Sequence, residues 1–126
     1  MRDRPSPAVI FVVDDSAELG EMLEVFFTKA GYSPRVFNDP LQAIAALEVA
    51  DPKPQLLVSD FRMPGINGLE LIHRCKLVHP RLKVISASAH MPREEIEKYS
   101  IQPDRILRKP YSTLELLEMV KALLAQ

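Results

Sequence analysis

Leu56-Leu57-Val58-Ser59-Asp60-Phe61-Arg62-Met63-Pro64-Gly65-Ile66-Asn67-Gly68 is the stretch whose reading decides the fold. Leu56 to Val58 is an apolar run, Asp60 closes it, and Pro64, Gly65, Asn67 and Gly68 crowd into the turn that follows. Such a pattern describes a buried strand delivering an acidic side chain to a loop. Loops at strand ends carry the chemistry of open α/β sheets. Two other stretches have the same form. Ala8 to Val13 is continuously apolar, as suits a central parallel strand covered on both faces, and it ends at Asp14-Asp15-Ser16. Arg105 to Leu107 is a brief strand running into Lys109-Pro110-Tyr111.

Helical patterns fill the intervals. From Glu18, the residues Leu19, Met22, Leu23, Phe26 and Ala30 recur at helical spacing, and Gly31 stops the helix. Tyr32 to Phe37 alternates as a short strand. Asp39 can cap and Pro40 can open a second helix, carried to about Ala50 on Leu41, Ile44, Ala45 and Leu47 and broken by Asp51-Pro52-Lys53-Pro54. Asn67-Gly68 opens a third, with Leu69, Leu71, Ile72, Cys75 and Val78, stopped near His79-Pro80. Leu82 to Ala87 is a fourth strand, and Met91 to Tyr99 a weak, mostly charged helix. Ser112 and Glu115 form a capping box ahead of a last helix on Leu114, Leu117, Val120 and Leu124. Strand and helix alternate throughout, which argues for a parallel sheet with helices on both faces.

The 126 residues fit one compact domain, with residues 1–7 as a frayed tail and 8–126 as the folded unit. A net charge of −1 gives no electrostatic case for nucleic acid. One cysteine, Cys75, allows neither an internal disulfide nor a cysteine metal cluster. Met1 to Pro7 lacks the apolar core of a signal peptide, and no apolar run is long enough to span a membrane, so a cytoplasmic location is expected.

In a parallel sheet every strand points its C-terminal end at the same rim. Asp14, Asp15, Asp60, Ser88 and Lys109 all fall at or just after such ends. Clustered carboxylates repel: two unit charges about 4 Å apart interact by roughly 4 kcal/mol at an effective dielectric of 20. An oxygen-only, carboxylate-rich site of this kind suits Mg²⁺, with Mn²⁺ as a substitute. A metal and a lysine beside a carboxylate and a hydroxyl can hold a phosphoryl group while the carboxylate attacks phosphorus.

The chain resembles a response-regulator receiver domain of two-component signalling over nearly its whole length. The residues that carry the likeness are Val12-Val13-Asp14-Asp15-Ser16, Asp60-Phe61-Arg62-Met63-Pro64-Gly65-Ile66-Asn67-Gly68, Val84-Ile85-Ser86-Ala87-Ser88-Ala89 and Arg108-Lys109-Pro110-Tyr111. Each piece is common alone; four in order at strand ends are specific. The resemblance implies a doubly wound (βα)5 fold, flavodoxin-like and CheY-like, with strand order 2-1-3-4-5. It implies Asp60 as phosphoacceptor from the phosphohistidine of a sensor kinase or a phosphotransfer protein. Asp14, Asp15, Asp60 and the Arg62 backbone carbonyl would hold Mg²⁺. Lys109, Ser88 and the Ala89 backbone would hold the phosphate, and the Lys109–Pro110 bond would be cis. No classical enzyme turnover is implied, only Mg²⁺-dependent self-phosphorylation and autodephosphorylation. Output would pass by protein–protein contact to a downstream target, on a face between Met91 and Leu114.

The sequence departs from the family pattern at one switch position: three residues before the lysine, where an aromatic is usual, stands Ile106. Arg62 and His90 occupy the two positions that, by the resemblance, would tune phosphate lifetime. Taken singly, Asp14-Asp15 reads as a helix cap, Lys109-Pro110 as a turn, and Ser88 as a small loop residue with Ser86 as its rival. His73 and His79 read as surface residues and Cys75 as core. A degenerate receiver, acting as an interaction module without phosphorylation, is the competing function; retention of all five site residues argues against it. A phosphatase with an Asp-x-Asp motif or a flavin domain ranks lower, since the acids are adjacent and no phosphate-binding glycine loop is present.

Overall fold

The computed structural model describes residues 7–89, 93–98 and 101–126. Five strands, β1 (Val9–Val13), β2 (Ser33–Phe37), β3 (Leu56–Asp60), β4 (Lys83–Ser88) and β5 (Arg105–Arg108), form one parallel sheet in the order β2-β1-β3-β4-β5. Among the described residues five helices alternate with them: α1 (Ala17–Lys29), α2 (Pro40–Val49), α3 (Gly68–Val78), α4 (Arg93–Glu97) and α5 (Thr113–Leu124). The expected order, 2-1-3-4-5, is the observed one. Residues 1–6 of the expected tail, and both ends of the expected Met91–Tyr99 helix, lie outside the described residues.

The period-2 alternation of the central strands sorts their side chains onto two faces. Ile10, Val12, Leu56, Val58, Ile85 and Ala87 pack with Leu23 and Phe27 of α1 and with Leu116, Val120 and Leu123 of α5. Phe11, Val13, Leu57 and Val84 pack with Ala43 and Leu47 of α2 and Leu69, Leu71, Ile72 and Cys75 of α3. Each such buried aliphatic or aromatic side chain contributes about 1.5–3 kcal/mol. Cys75 is core as expected, and burial pushes its thiol up to about 12, which keeps it from acting as a nucleophile.

The starts of α2, α3 and α5 are those of the sequence, while α1 begins one residue before the expected Glu18 and takes its cap from Ser16, not from Asp14-Asp15. Ser16 caps α1, Asp39 caps α2 with Pro40 in the first turn, and Asn67 caps α3. In α5 the Glu115 N–H donates to Ser112 Oγ at 3.0 Å, and the Ser112 N–H donates back to Glu115 Oε1 at 3.3 Å.

The buried faces of three helices match expectation only in part: Leu23, Leu47 and Val120 are buried as expected, and other positions are not. Leu19 and Met22 of α1 are exposed, and Gly20, Leu23 and Phe27 face the sheet. A Cβ on Gly20 would stand 2.8 Å from Val36 Cγ1, so the bare backbone here lets α1 sit down on β2. In α2 the buried positions are Pro40, Ala43 and Leu47, while Leu41 and Ala45 face solvent. In α5 they are Leu116, Val120 and Leu123, and Leu114 is 62% exposed. All three helices carry apolar residues around most of their circumference, so spacing alone admits more than one core face.

Candidate functional site at the C-terminal rim of the sheet

The rim is built by extending the sheet ladder one step past the strands. The Asp14 N–H donates to Phe37 O at 3.0 Å, the Phe61 N–H to Ala87 O at 2.9 Å and the Lys109 N–H to Ser88 O at 2.9 Å. These bonds tie the end of β1 to β2, of β3 to β4 and of β5 to β4, where the acids and the lysine emerge. Phe61, fully buried, anchors the turn behind Asp60 in the α2/α3 core.

Asp14, Asp15 and Asp60 each place a carboxylate oxygen within 4.8 Å of the others. Lys109 Nζ donates to Asp60 Oδ1 at 2.9 Å, with the Asp60 side chain 13% exposed. The four residues that the sequence scattered over the chain therefore converge. At 4.8 Å each carboxylate pair repels by roughly 3–4 kcal/mol at an effective dielectric of 20. Three carboxylates against one ammonium leave a formal charge of −2, which suits a divalent cation with hard oxygen ligands. Asp15 is exposed, Asp60 is half-buried and Asp14 is buried, so this acidic group opens to solvent on one side.

Burial, with repulsion from Asp60 and Asp15 adding to it, raises the Asp14 carboxyl above its ordinary value, although the Ser16 N–H bonded to Oδ1 at 2.9 Å opposes the shift. Burial pulls Lys109 down, but the hydrogen bond to Asp60 and the charges of Asp60 and Asp14 outweigh it, so its ammonium is held above the lysine norm. Burial also raises the Tyr111 phenol.

The Asp14 shift carries a sign. A carboxyl raised in the folded state binds its proton more readily than in the unfolded chain. The stability it contributes is fully present below about 3.8 and is lost as pH climbs through the raised folded value. With chelator present, Asp14→Asn should therefore gain stability over wild type as pH rises from acid to neutral. Urea unfolding across that range measures it, and a difference independent of pH would contradict the assignment.

Ser88 is buried on the last rung of β4 beside Lys109, which favours it over Ser86 for the rim. Ser86 lies one rung pair deeper, fully buried between Ser59 and Ile106, and its hydroxyl has no hydrogen-bond partner among the described residues. Ile106 is 45% exposed on that face. Ala89 is exposed just past β4. Arg62 is exposed, its guanidinium 5.4 Å from the centroid of the Phe61 ring. His90 lies outside the described residues, as do Met91, Pro92, Tyr99 and Ser100 from the expected target face. The Lys109–Pro110 bond is cis as expected, and Asp51–Pro52, read from sequence only as a break, is cis too. A groove of about 400 Å³ runs from Asp14 and Lys109 over Tyr111 to the exposed Leu19 and Met22 of α1.

Fold and site together define a receiver domain of two-component signalling. Residues 10–121 match the family model for the response regulator receiver domain, and the chain belongs to that family. It is 33% identical over 114 residues to the DNA-binding transcriptional regulator NtrC of Salmonella typhimurium, covering 90% of this chain and 24% of that protein. It is 32% identical over 118 residues to the phosphate regulon transcriptional regulatory protein PhoB of Pseudomonas aeruginosa, covering 91% of this chain and 51% of that one. The chain thus spans a quarter to a half of these relatives. A CheY-like receiver domain protein from Methanospirillum hungatei superposes with a TM-score of 0.86 at 22% identity, covering 93% of both chains. Among the described residues no helix is long and apolar enough to cross a membrane.

Proposed function

We propose that this receiver domain takes a phosphoryl group onto Asp60 from the phosphohistidine of a sensor kinase or phosphotransfer protein, in a Mg²⁺-dependent reaction. The observation that carries the reading is the Lys109–Asp60 contact at 2.9 Å beside two further carboxylates within 4.8 Å. An Asp60 oxygen attacks phosphorus as the P–N bond to the donor imidazole breaks. The product is an acyl phosphate, and the released imidazole takes up a proton. Lys109 moves from carboxylate pairing to phosphoryl pairing, and Ser88 supplies a hydroxyl to a phosphoryl oxygen. Asp14, Asp15, Asp60 and the Arg62 carbonyl would hold Mg²⁺, which when bound offsets the charge of the phosphoryl oxygens. The chemistry ends on the protein's own side chain, so the domain is a switch and no turnover enzyme.

The donor must reach Asp60, and the groove onto Leu19 and Met22 gives it an apolar footing beside the acids. A cytoplasmic location follows from such a donor. Output passes to a partner protein on the face of β5 and the start of α5, where Ile106 and Leu114 are exposed. Ile106 makes that output a matter of packing, since no ring is present to rotate. Incubation with Mg²⁺ and a small acyl or phosphoramidate donor, followed by intact mass, tests the reading. Failure to gain one phosphoryl mass would favour a phosphorylation-independent module.

Arg62 and His90 set the lifetime of the acyl phosphate in this reading. Arg62, resting on the Phe61 ring, can swing to shield the phosphoryl group. Arg62→Ala should shorten the half-life about threefold, the equivalent of the ~0.5–1 kcal/mol of an exposed charge contact. The decay of labelled phosphoprotein measures it; an unaltered half-life would remove the shielding role.

A further inference from the structure

Asn38 sits between β2 and α2, in a run that the sequence explains as a helix start. The cap is its neighbour: the Leu41 N–H donates to Asp39 Oδ1 at 2.9 Å. The Asn38 side chain is committed elsewhere. Its Nδ2 donates at 3.0 Å to the backbone carbonyl of Asp14, 24 residues earlier in the chain.

Asp14 is the first residue beyond β1, and the β1–β3 pairing ends one residue before it. Its backbone nevertheless stays fixed on both sides. Its N–H is held by Phe37 O at 3.0 Å and its carbonyl by the Asn38 amide. Its carboxylate is held in turn by the Ser16 N–H at 2.9 Å. The carbonyl that Asn38 grips belongs to the peptide joining Asp14 to Asp15. A rotation of that peptide would re-aim Asp15, which is exposed, against Asp14 and Asp60. The carbonyl side of the Asp14–Asp15 peptide is thus tied to one side chain from a different strand–helix connection.

We propose that Asn38 is a positioning residue for cation binding, clamping the Asp14–Asp15 peptide so that both carboxylates converge with Asp60. This rests on the Mg²⁺ reading given above. The donor is needed and the side chain is short, so alanine loses the clamp. Outer partners of metal ligands typically alter affinity by 10-fold or more. Asn38 is exposed and lies outside both core clusters, so the metal-free fold should change little.

The full chain, with Mg²⁺ alone as the probe, tests this by calorimetric titration, by melting in chelator and by the Asp15 amide nitrogen resonance, which reports hydrogen bonding at the Asp14 carbonyl. For Asn38→Ala the expected result is a Mg²⁺ dissociation constant raised about tenfold, a metal-free melting temperature close to wild type, and a displaced Asp15 resonance in chelator. Wild-type affinity in the variant, or an unmoved Asp15 resonance, overturns the clamp while leaving the cation site standing. Weaker affinity accompanied by a large loss of metal-free stability also overturns it, since Asn38 would then be holding the fold. A wild-type chain that takes up no Mg²⁺ removes both readings together.

Discussion

Asp60→Asn should accept no phosphoryl group under conditions in which the wild-type chain gains one. The amide keeps the shape of the carboxylate and its place at the end of β3, so the ladder bonds around it and the buried Phe61 are undisturbed. It lacks the charge and the nucleophilic oxygen that the transfer requires. The loss is of a reacting atom and should be total within detection, unlike the partial effects of positioning residues. The same substitution lowers the formal negative charge of the three-acid group by one, so Mg²⁺ affinity should fall as well. It should also relieve part of the carboxylate repulsion in chelator, an effect offset by the lost ion pair to Lys109. Intact mass after incubation with donor and Mg²⁺, run beside wild type, reads the result. Phosphorylation of Asp60→Asn at the wild-type level would move the acceptor to another side chain and sink the assignment.

The site was legible because its residues announce themselves by position. Each acid closes an apolar run, and Lys109 precedes a proline after the shortest strand. Parallel topology then forces strand ends onto one rim, with no long-range contact needing to be guessed. The strand order came from the resemblance, because period-2 patterns say which residues are buried but not which strands are neighbours. Helix faces were less legible. In α1 Leu23 was legible, but Leu19 and Met22 proved exposed, and the face toward β2 is set by Gly20, a residue with no side chain to enter a hydrophobic pattern. In α5, Leu114 matches the spacing but sits in the first turn, where the helix has only begun to cover the sheet. Asn38 was hidden for another reason. Its amide bonds a backbone carbonyl, and backbone acceptors leave no trace in sequence.

Gly68→Ala should damage the site from the opposite side of Asp60. Gly68 is the first residue of α3, and its N–H donates to Phe61 O at 2.7 Å, which ties the helix directly to the segment that carries the acceptor. A Cβ at this position would stand 2.8 Å from Phe61 Cα, 2.9 Å from Asp60 O and 3.1 Å from Phe61 O. All three are backbone atoms, so no side chain can rotate away. Either α3 lifts from the turn, straining the buried contacts of Leu69, Leu71 and Ile72, or the Asp60–Phe61 backbone shifts. Overpacking of this kind costs about 1–3 kcal/mol. A shift of the acceptor by a fraction of an ångström would also loosen its contact with Lys109, and misplacement on the order of 1 Å can cost about 100-fold in rate. The expected outcome is a lower melting temperature together with phosphorylation by a small donor slowed at least tenfold, a conservative part of that range. Rates should be compared at a temperature where both proteins are folded. A Gly68→Ala protein that melts and phosphorylates like wild type would mean that the turn yields freely, and that the tight seating of α3 against Asp60 has no part in presenting the acceptor.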